Sequence, residues 1–179
     1  MLICNIKFLL NGKMRYFLIG FMGSGKRLIG KQLAEKLHMK YIDLDDFIEK
    51  SENRTIADIF NNSEETYFRE LEEKYLKEII KEDNILISTG GGTPTLNGLI
   101  DTMNNVGETI YLECCTETLF ERLHQNKEKR PMISVLSDKN LRRYIENKME
   151  ERKFFYKKAT HTICNDSGNC VNEIIDVLR

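Results

Sequence analysis

Gly20, Gly25 and Lys26 stand at the spacing G-x-x-x-x-G-K within the run GFMGSGK, which suits a loop that wraps a phosphate. Glycine allows the open backbone angles and close approach that let main-chain N–H groups reach an anion. A helix opening at the end of the loop would add the positive end of its dipole. Lys26 would extend to the β- and γ-phosphates of a nucleotide, with Gly23, Ser24 and Gly25 forming the loop that receives them. The next position normally carries a Ser or Thr whose hydroxyl binds Mg²⁺, and here it is Arg27. A guanidinium offers a metal no lone pair. Either Mg²⁺ is held by phosphates, waters and a carboxylate alone, or this copy is impaired; Ser24 is not an obvious replacement.

A second group of residues suits a small anionic alcohol. Asp43 and Asp45 bracket Leu44, and period-two spacing in an extended segment would turn both carboxylates to one side. One could sit near a metal while the other accepts a hydrogen bond or proton from a substrate hydroxyl. The same D-L-D-D run equally suits capping of a following helix. Arg69 lies four residues after Glu65 and three before Glu72, a spacing that also fits a solvated ion-pair stripe. Arg152 sits in the highly charged run MEERKFFYKK, where a surface position is the default. Gly90, Gly91 and Gly92 end an apolar run, which suits close approach of a ligand. Arg130 follows the polar stretch HQNKEK, and an arginine delivered by a closing flap could stabilise charge on a phosphoryl group and help exclude water.

The elements that must position these residues alternate between short apolar strands and amphipathic helices. Strands are expected at 15–19, 40–43, 84–89, 109–113 and 161–164. Ile29, Leu33 and Leu37 mark a helix after the glycine loop, and Phe68, Leu71, Tyr75 and Ile79 mark another, which Ser63 can cap. Thr55 and Asp58 read as a capping box for a short helix IADIF, Thr116 as the cap of the helix after the fourth strand, and a closing helix ends near Leu178. This alternation implies an α/β fold with a parallel sheet covered on both faces. Ligands bind such sheets beyond the carboxyl ends of the strands, and the residues singled out lie there.

The whole-chain properties set bounds on these readings. A length of 179 residues fits one domain, over 14–179, with a mobile lid at about 123–137 and residues 1–13 as an N-terminal extension. Lys plus Arg number 27 against 28 for Asp plus Glu, so no global charge favours nucleic acid or a membrane surface. No stretch approaches the ~20 apolar residues of a membrane span, and no signal-peptide cleavage site is evident. The five cysteines form no C-x-x-C pair and include the adjacent Cys114 and Cys115, which argues for reduced thiols in a cytoplasm; separately, the chain is expected to be a monomer.

From about Met14 onward the chain resembles the shikimate kinase family. The resemblance runs through GFMGSGK, IDLDDFIE, IADIF, then Glu65, Phe68, Arg69 and Glu72, then TGGG, RPMI and RKFFY. It implies a P-loop nucleoside-monophosphate-kinase-like three-layer sandwich with a five-stranded parallel sheet, using ATP and Mg²⁺ to convert shikimate to shikimate 3-phosphate in aromatic amino-acid biosynthesis. By the same resemblance Arg69 and Arg152, with Gly91 and Gly92, would hold shikimate, and Asp45 would engage its hydroxyls. Ile56, Phe60 and Phe68 would shape the pocket, and Asp43 and Ser88 would support Mg²⁺ through water. Lys26 and Arg130 would neutralise phosphates and Arg122 would lie near the adenine. Arg27, and Phe154 in place of the family's usual proline, depart from the pattern. Two alternatives stand beside this reading: a kinase of another small anionic hydroxylated substrate, and a binder of nucleotide or shikimate with weak transfer because of Arg27.

Overall fold

The computed structural model describes residues 14–62 and 65–179. The expected extension at 1–13 and the Ser63 cap lie outside them. In chain order the elements are β1 (Arg15–Ile19), α1 (Lys26–Leu37), β2 (Lys40–Asp43), α2 (Leu44–Glu52), α3 (Ile56–Asn62), α4 (Glu65–Ile79) and β3 (Ile85–Ser88). A short 3₁₀ turn at Thr93–Thr95 leads to α5 (Leu99–Val106), β4 (Glu108–Glu113) and α6 (Thr116–His124). A second 3₁₀ turn at Lys127–Lys129 precedes α7 (Pro131–Ser134), α8 (Asp138–Tyr156), β5 (His161–Cys164) and α9 (Val171–Val177).

The strands form one parallel sheet in the order β2-β3-β1-β4-β5. Both faces are covered, and the period-two alternation of side chains divides the core accordingly. Phe17, Ile19, Ile85 and Ile87 face one cluster, with Leu44 and Ile48 of α2, Leu71 and Leu76 of α4 and Tyr156 of α8. Tyr16, Leu18, Leu86, Ile110 and Leu112 face the other, with Ile29 and Leu33 of α1 and Val171 and Ile174 of α9. β1 lies at the centre of the sheet. Its chain departs toward β2, whereas β4 leads to β5 on the opposite side, so the crevice beyond β1 is the topological switch point.

Local chemistry fixes the helix starts. Thr55 and Asp58 form the expected reciprocal box, the Thr55 Oγ1 accepting from the Asp58 N–H at 3.1 Å and the Asp58 carboxylate accepting from the Thr55 N–H at 3.3 Å. The cap of α6 is Cys115 rather than Thr116: its thiol sulfur accepts from the Thr118 N–H, and Thr116 is the first helical residue. The segment expected as a polar lid carries two short helical turns. Ile133 of α7 is fully buried against Leu119, Leu123 and Leu141, anchoring that stretch beside the loop after β1. Among the described residues no helix is long and apolar enough to cross a membrane.

Candidate active site

The loop after β1 behaves as an anion cradle. α1 starts at Gly25, which has no side chain to cap the first-turn N–H groups, and no acidic residue lies in that turn. Gly25 has φ 93°, a left-handed angle, and a Cβ there would fall 2.8 Å from Asn165 Nδ2. Lys26 folds back over the loop, donating to the carbonyls of Gly20 at 2.8 Å and Phe21 at 2.9 Å. Burial lowers its pKa to about 8, against the pull of Asp45 and Asp43. Ser24 is buried, its hydroxyl has no partner, and its N–H donates to the Phe21 carbonyl. Its side chain therefore does not replace the missing P-loop hydroxyl. Arg122 donates to the carbonyls of Asn165 at 2.8 Å, Asp166 at 2.7 Å and Gly23 at 3.4 Å, tying the cradle to the loop after β5.

A cavity of about 550 Å³ opens over this cradle, lined by Gly23, Gly25, Lys26, Arg27, Asp43, Ser88, Arg122 and Arg130 among others. A second, of about 420 Å³, is lined by Ile56, Phe60, Phe68, Arg69, Glu72, Gly92 and Arg152. Met22, Asp45, Gly90, Gly91 and Arg130 line both. The expected site residues other than Ser24 are thus brought to two adjoining chambers, with Asp45 and Arg130 where they meet. Burial, then the negative charges of Asp43 and Glu72, push the Asp45 carboxyl up to about 7. Burial also lowers the pKa of Arg130.

Several residues reach the site by routes the sequence left open or did not indicate. Asp43 ends β2, but Asp45 lies in the first turn of α2, so the two carboxylates are not strand neighbours on one face. Asp43 also takes the capping role, its Oδ1 accepting from the N–H groups of Asp45 and Asp46. Arg152 is buried, not superficial; its guanidinium lies 5.4 Å from the Phe21 ring centroid and beside the Tyr156 hydroxyl. Among the described residues no carboxylate pairs with it. Arg69 does form the expected ion pairs, at 2.7 Å with Glu65 and 2.5 Å with Glu72, but Glu72 is fully buried in the cavity wall. The glycine run gives room to these side chains before any ligand. A Cβ on Gly90 would fall 2.2 Å from Glu72 Oε1, one on Gly92 2.6 Å from Arg69 Nη1, and one on Gly91 3.2 Å from Arg152 Nη1.

Sequence reasoning gave no role to Glu72, Tyr156 or Asn165. The Tyr156 hydroxyl donates to the Gly91 carbonyl at 2.6 Å, and Asn165 Nδ2 donates to the Ser24 carbonyl at 2.8 Å. Glu72 stood in a quoted motif; the other two carried no local signal. Phe154, the departure from proline, is exposed on α8 and packs edge-on against Phe155.

A parallel sheet with a phosphate cradle after its central strand, and an arginine-lined chamber beside it, defines a P-loop kinase of small molecules. The sequence profile described as shikimate kinase matches residues 22–179. The chain is 40% identical to a shikimate kinase of Bacteroides fragilis over 152 residues, covering 85% of each chain. It is 45% identical over 147 residues to one from Azobacteroides pseudotrichonymphae, covering 82% of this chain and 86% of that one. The crystal structure of shikimate kinase from Bacteroides thetaiotaomicron superposes with a TM-score of 0.88 at 35% identity, covering 92% of this chain and 98% of the other. A shikimate kinase from Acinetobacter baumannii, solved in complex with shikimate, superposes with a TM-score of 0.84 at 26% identity, covering 95% of both. The chain belongs to the shikimate kinase family, which makes it an ATP-dependent phosphotransferase with an alcohol acceptor.

The side chains expected to support Mg²⁺ through water line the phosphate chamber with other partners already in place. Asp43 Oδ2 accepts from Arg27 Nε at 3.0 Å and from the Tyr41 hydroxyl at 3.3 Å, while its Oδ1 caps α2. The Ser88 hydroxyl accepts from Tyr41 at 2.9 Å and donates to the Lys26 carbonyl at 3.2 Å. Both groups already have partners, and the position that would bring a third oxygen is a guanidinium.

Proposed function

We propose that this chain transfers the γ-phosphoryl group of ATP to a ring hydroxyl of shikimate, giving ADP and shikimate 3-phosphate, a step of aromatic amino-acid biosynthesis. One observation carries the choice of substrate: Arg152 is buried, without a carboxylate of its own, in the chamber that also holds Arg69. A buried guanidinium without an anionic partner is costly, and an incoming carboxylate removes that cost. Arg69 already shares its charge between Glu65 and Glu72, so it would present a fixed fork rather than a free cation. The family's binding of shikimate in the Acinetobacter baumannii structure supports the same occupant.

On this reading the roles divide along the two chambers. Loop N–H groups and Lys26 hold the β- and γ-phosphates, with Arg122 at the chamber wall bracing the cradle and flanking the adenine. Arg69 and Arg152, beside Gly91 and Gly92, take the substrate carboxylate, and Ile56, Phe60 and Phe68 wall the ring. Asp45, where the chambers meet, accepts the proton of the attacking hydroxyl as its oxygen bonds to the γ-phosphorus. The bond from that phosphorus to the β,γ-bridging oxygen breaks, and Arg130 stabilises the charge on the moving group. A pKa near 7 suits Asp45 to taking up and releasing that proton near neutrality.

Product analysis by phosphorus NMR with shikimate, gluconate and nucleoside monophosphates tests the assignment. Turnover with shikimate and negligible turnover with the others is expected. Comparable turnover with gluconate or a nucleotide would overturn it.

A further inference from the structure

Arg27 is neither a loose surface residue nor a simple loss. Its Nε donates to Asp43 at 3.0 Å and its Nη2 to Asp46 at 2.5 Å, so α1 and the start of α2 are clamped through one guanidinium. Nη1 has no protein partner among the described residues, and Arg27 lines the phosphate chamber. That chamber is walled by four cationic side chains, Lys26, Arg27, Arg122 and Arg130, against the carboxylates of Asp43 and Asp45. A planar guanidinium with spare donors binds phosphate oxygens directly, as a hydrated metal does through its charge.

We infer that Arg27, held in place by Asp43 and Asp46, supplies the phosphate site with a permanent cation, so this chain binds nucleotide triphosphate with little dependence on Mg²⁺. The inference rests on the P-loop kinase reading and adds a specificity to it. In a P-loop with a hydroxyl at this position, the protein and the metal favour each other, and metal and nucleotide binding are coupled. Here the hydroxyl is absent, Asp43 and Ser88 are already engaged, and the cation is covalently part of the chain. Metal and nucleotide should therefore be nearly uncoupled on the protein side.

Calorimetric titration of ATP, in excess EDTA and in excess Mg²⁺, into the full chain and into Arg27→Ser tests this. The full chain should bind both forms of ATP within about threefold, whereas Arg27→Ser should bind metal-free ATP about tenfold or more weakly than MgATP, a coupling of ordinary size. Asp46→Asn, which removes the charge of one of the two anchors but leaves the Arg27 cation in place, should lie between them. Manganese relaxation measurements supply a readout independent of turnover: the full chain should hold Mn²⁺ in its nucleotide complex more weakly than Arg27→Ser does. Should the full chain lose tenfold or more of its ATP affinity in EDTA, the inference is wrong while the kinase reading stands. Should it bind ATP in neither condition, the cradle itself is misassigned and both fall. Arg27 is more than half exposed, and equal melting temperatures of the variants establish that folding is not what is measured.

Discussion

Arg69 Nη1 lies 2.5 Å from Glu72 Oε2, one turn along α4, and Glu72 is fully buried while Arg69 faces the acceptor chamber. The other oxygen of Glu72 accepts from the Thr93 hydroxyl at 2.5 Å, so the carboxylate joins α4 to the turn that follows the triple glycine. The pair thus serves two ends: it holds the fork of Arg69 at one angle, and it locks the wall of the chamber. Glu72→Gln should keep the volume and one hydrogen bond but release Arg69. It should raise the KM for shikimate by about tenfold or more with a smaller fall in kcat, because charge-assisted bonds of this kind are worth about 1.5–3 kcal/mol. Glu72→Ala should also destabilise the fold by about 1–3 kcal/mol, since Arg69 keeps Glu65 but the buried Thr93 hydroxyl and one guanidinium nitrogen lose their acceptor. Steady-state kinetics and urea denaturation of the two variants separate the effects.

The raised pKa of Asp45 has opposite consequences for activity and for stability. Catalysis needs the carboxylate, so kcat/KM for shikimate should fall as pH drops through about 7. The folded pKa lies above the unfolded value of 3.8, so the native state holds the proton more tightly between them. The stability tied to that proton is complete below 3.8 and is lost as pH rises through about 7. Asp45→Asn should therefore be inactive yet more stable than the parent at alkaline pH, by about 1–3 kcal/mol, with the gain vanishing in acid. Urea denaturation across the pH range checks the sign.

Lys26 provides the complementary test on the nucleotide side. Its pKa is near 8 because burial outweighs Asp45 and Asp43. Bound phosphates would restore the proton, so ATP binding at about pH 9 should take up close to one proton and at about pH 6 almost none. Affinity should fall by up to about tenfold per pH unit above 8. Titration calorimetry in buffers of different ionisation enthalpy measures the proton directly; no uptake near pH 9 would contradict the assigned environment.

How much of this was legible in the sequence depended on whether the signal was local. RYFLI matches its strand residue for residue because a buried parallel strand is a short apolar run with sharp ends, and KYID and HTIC match as well although they are edge strands that each bury one residue. The glycine loop was legible because it is contiguous, and Thr55 with Asp58 because a capping box spans four residues. The run D-L-D-D suited either an extended pair of carboxylates or a helix cap, and the cap holds: the chain turns at Asp43, whose side chain caps α2, and Asp45 lies in the first turn of that helix. The burial of Arg152 was unreadable because the run around it is charged, and only the docking of α8 against Phe21 buries that one guanidinium. Asn165 sits fully buried beneath the phosphate loop, 141 residues from the Ser24 carbonyl it supports, a distance no spacing argument spans.

The unpaired guanidinium of Arg152 is the most direct point at which to test the whole assignment. Shikimate binding by the nucleotide-loaded chain and by Arg152→Met should be compared by calorimetry, with urea denaturation of both proteins run without ligand. The variant should lose shikimate affinity by about a hundredfold, since the carboxylate loses a desolvated, charge-assisted partner. Without ligand it should be at least as stable as the parent, because a buried unpaired cation has been replaced by an apolar side chain. Undiminished shikimate binding by Arg152→Met would mean that the chamber does not take its substrate by the carboxylate.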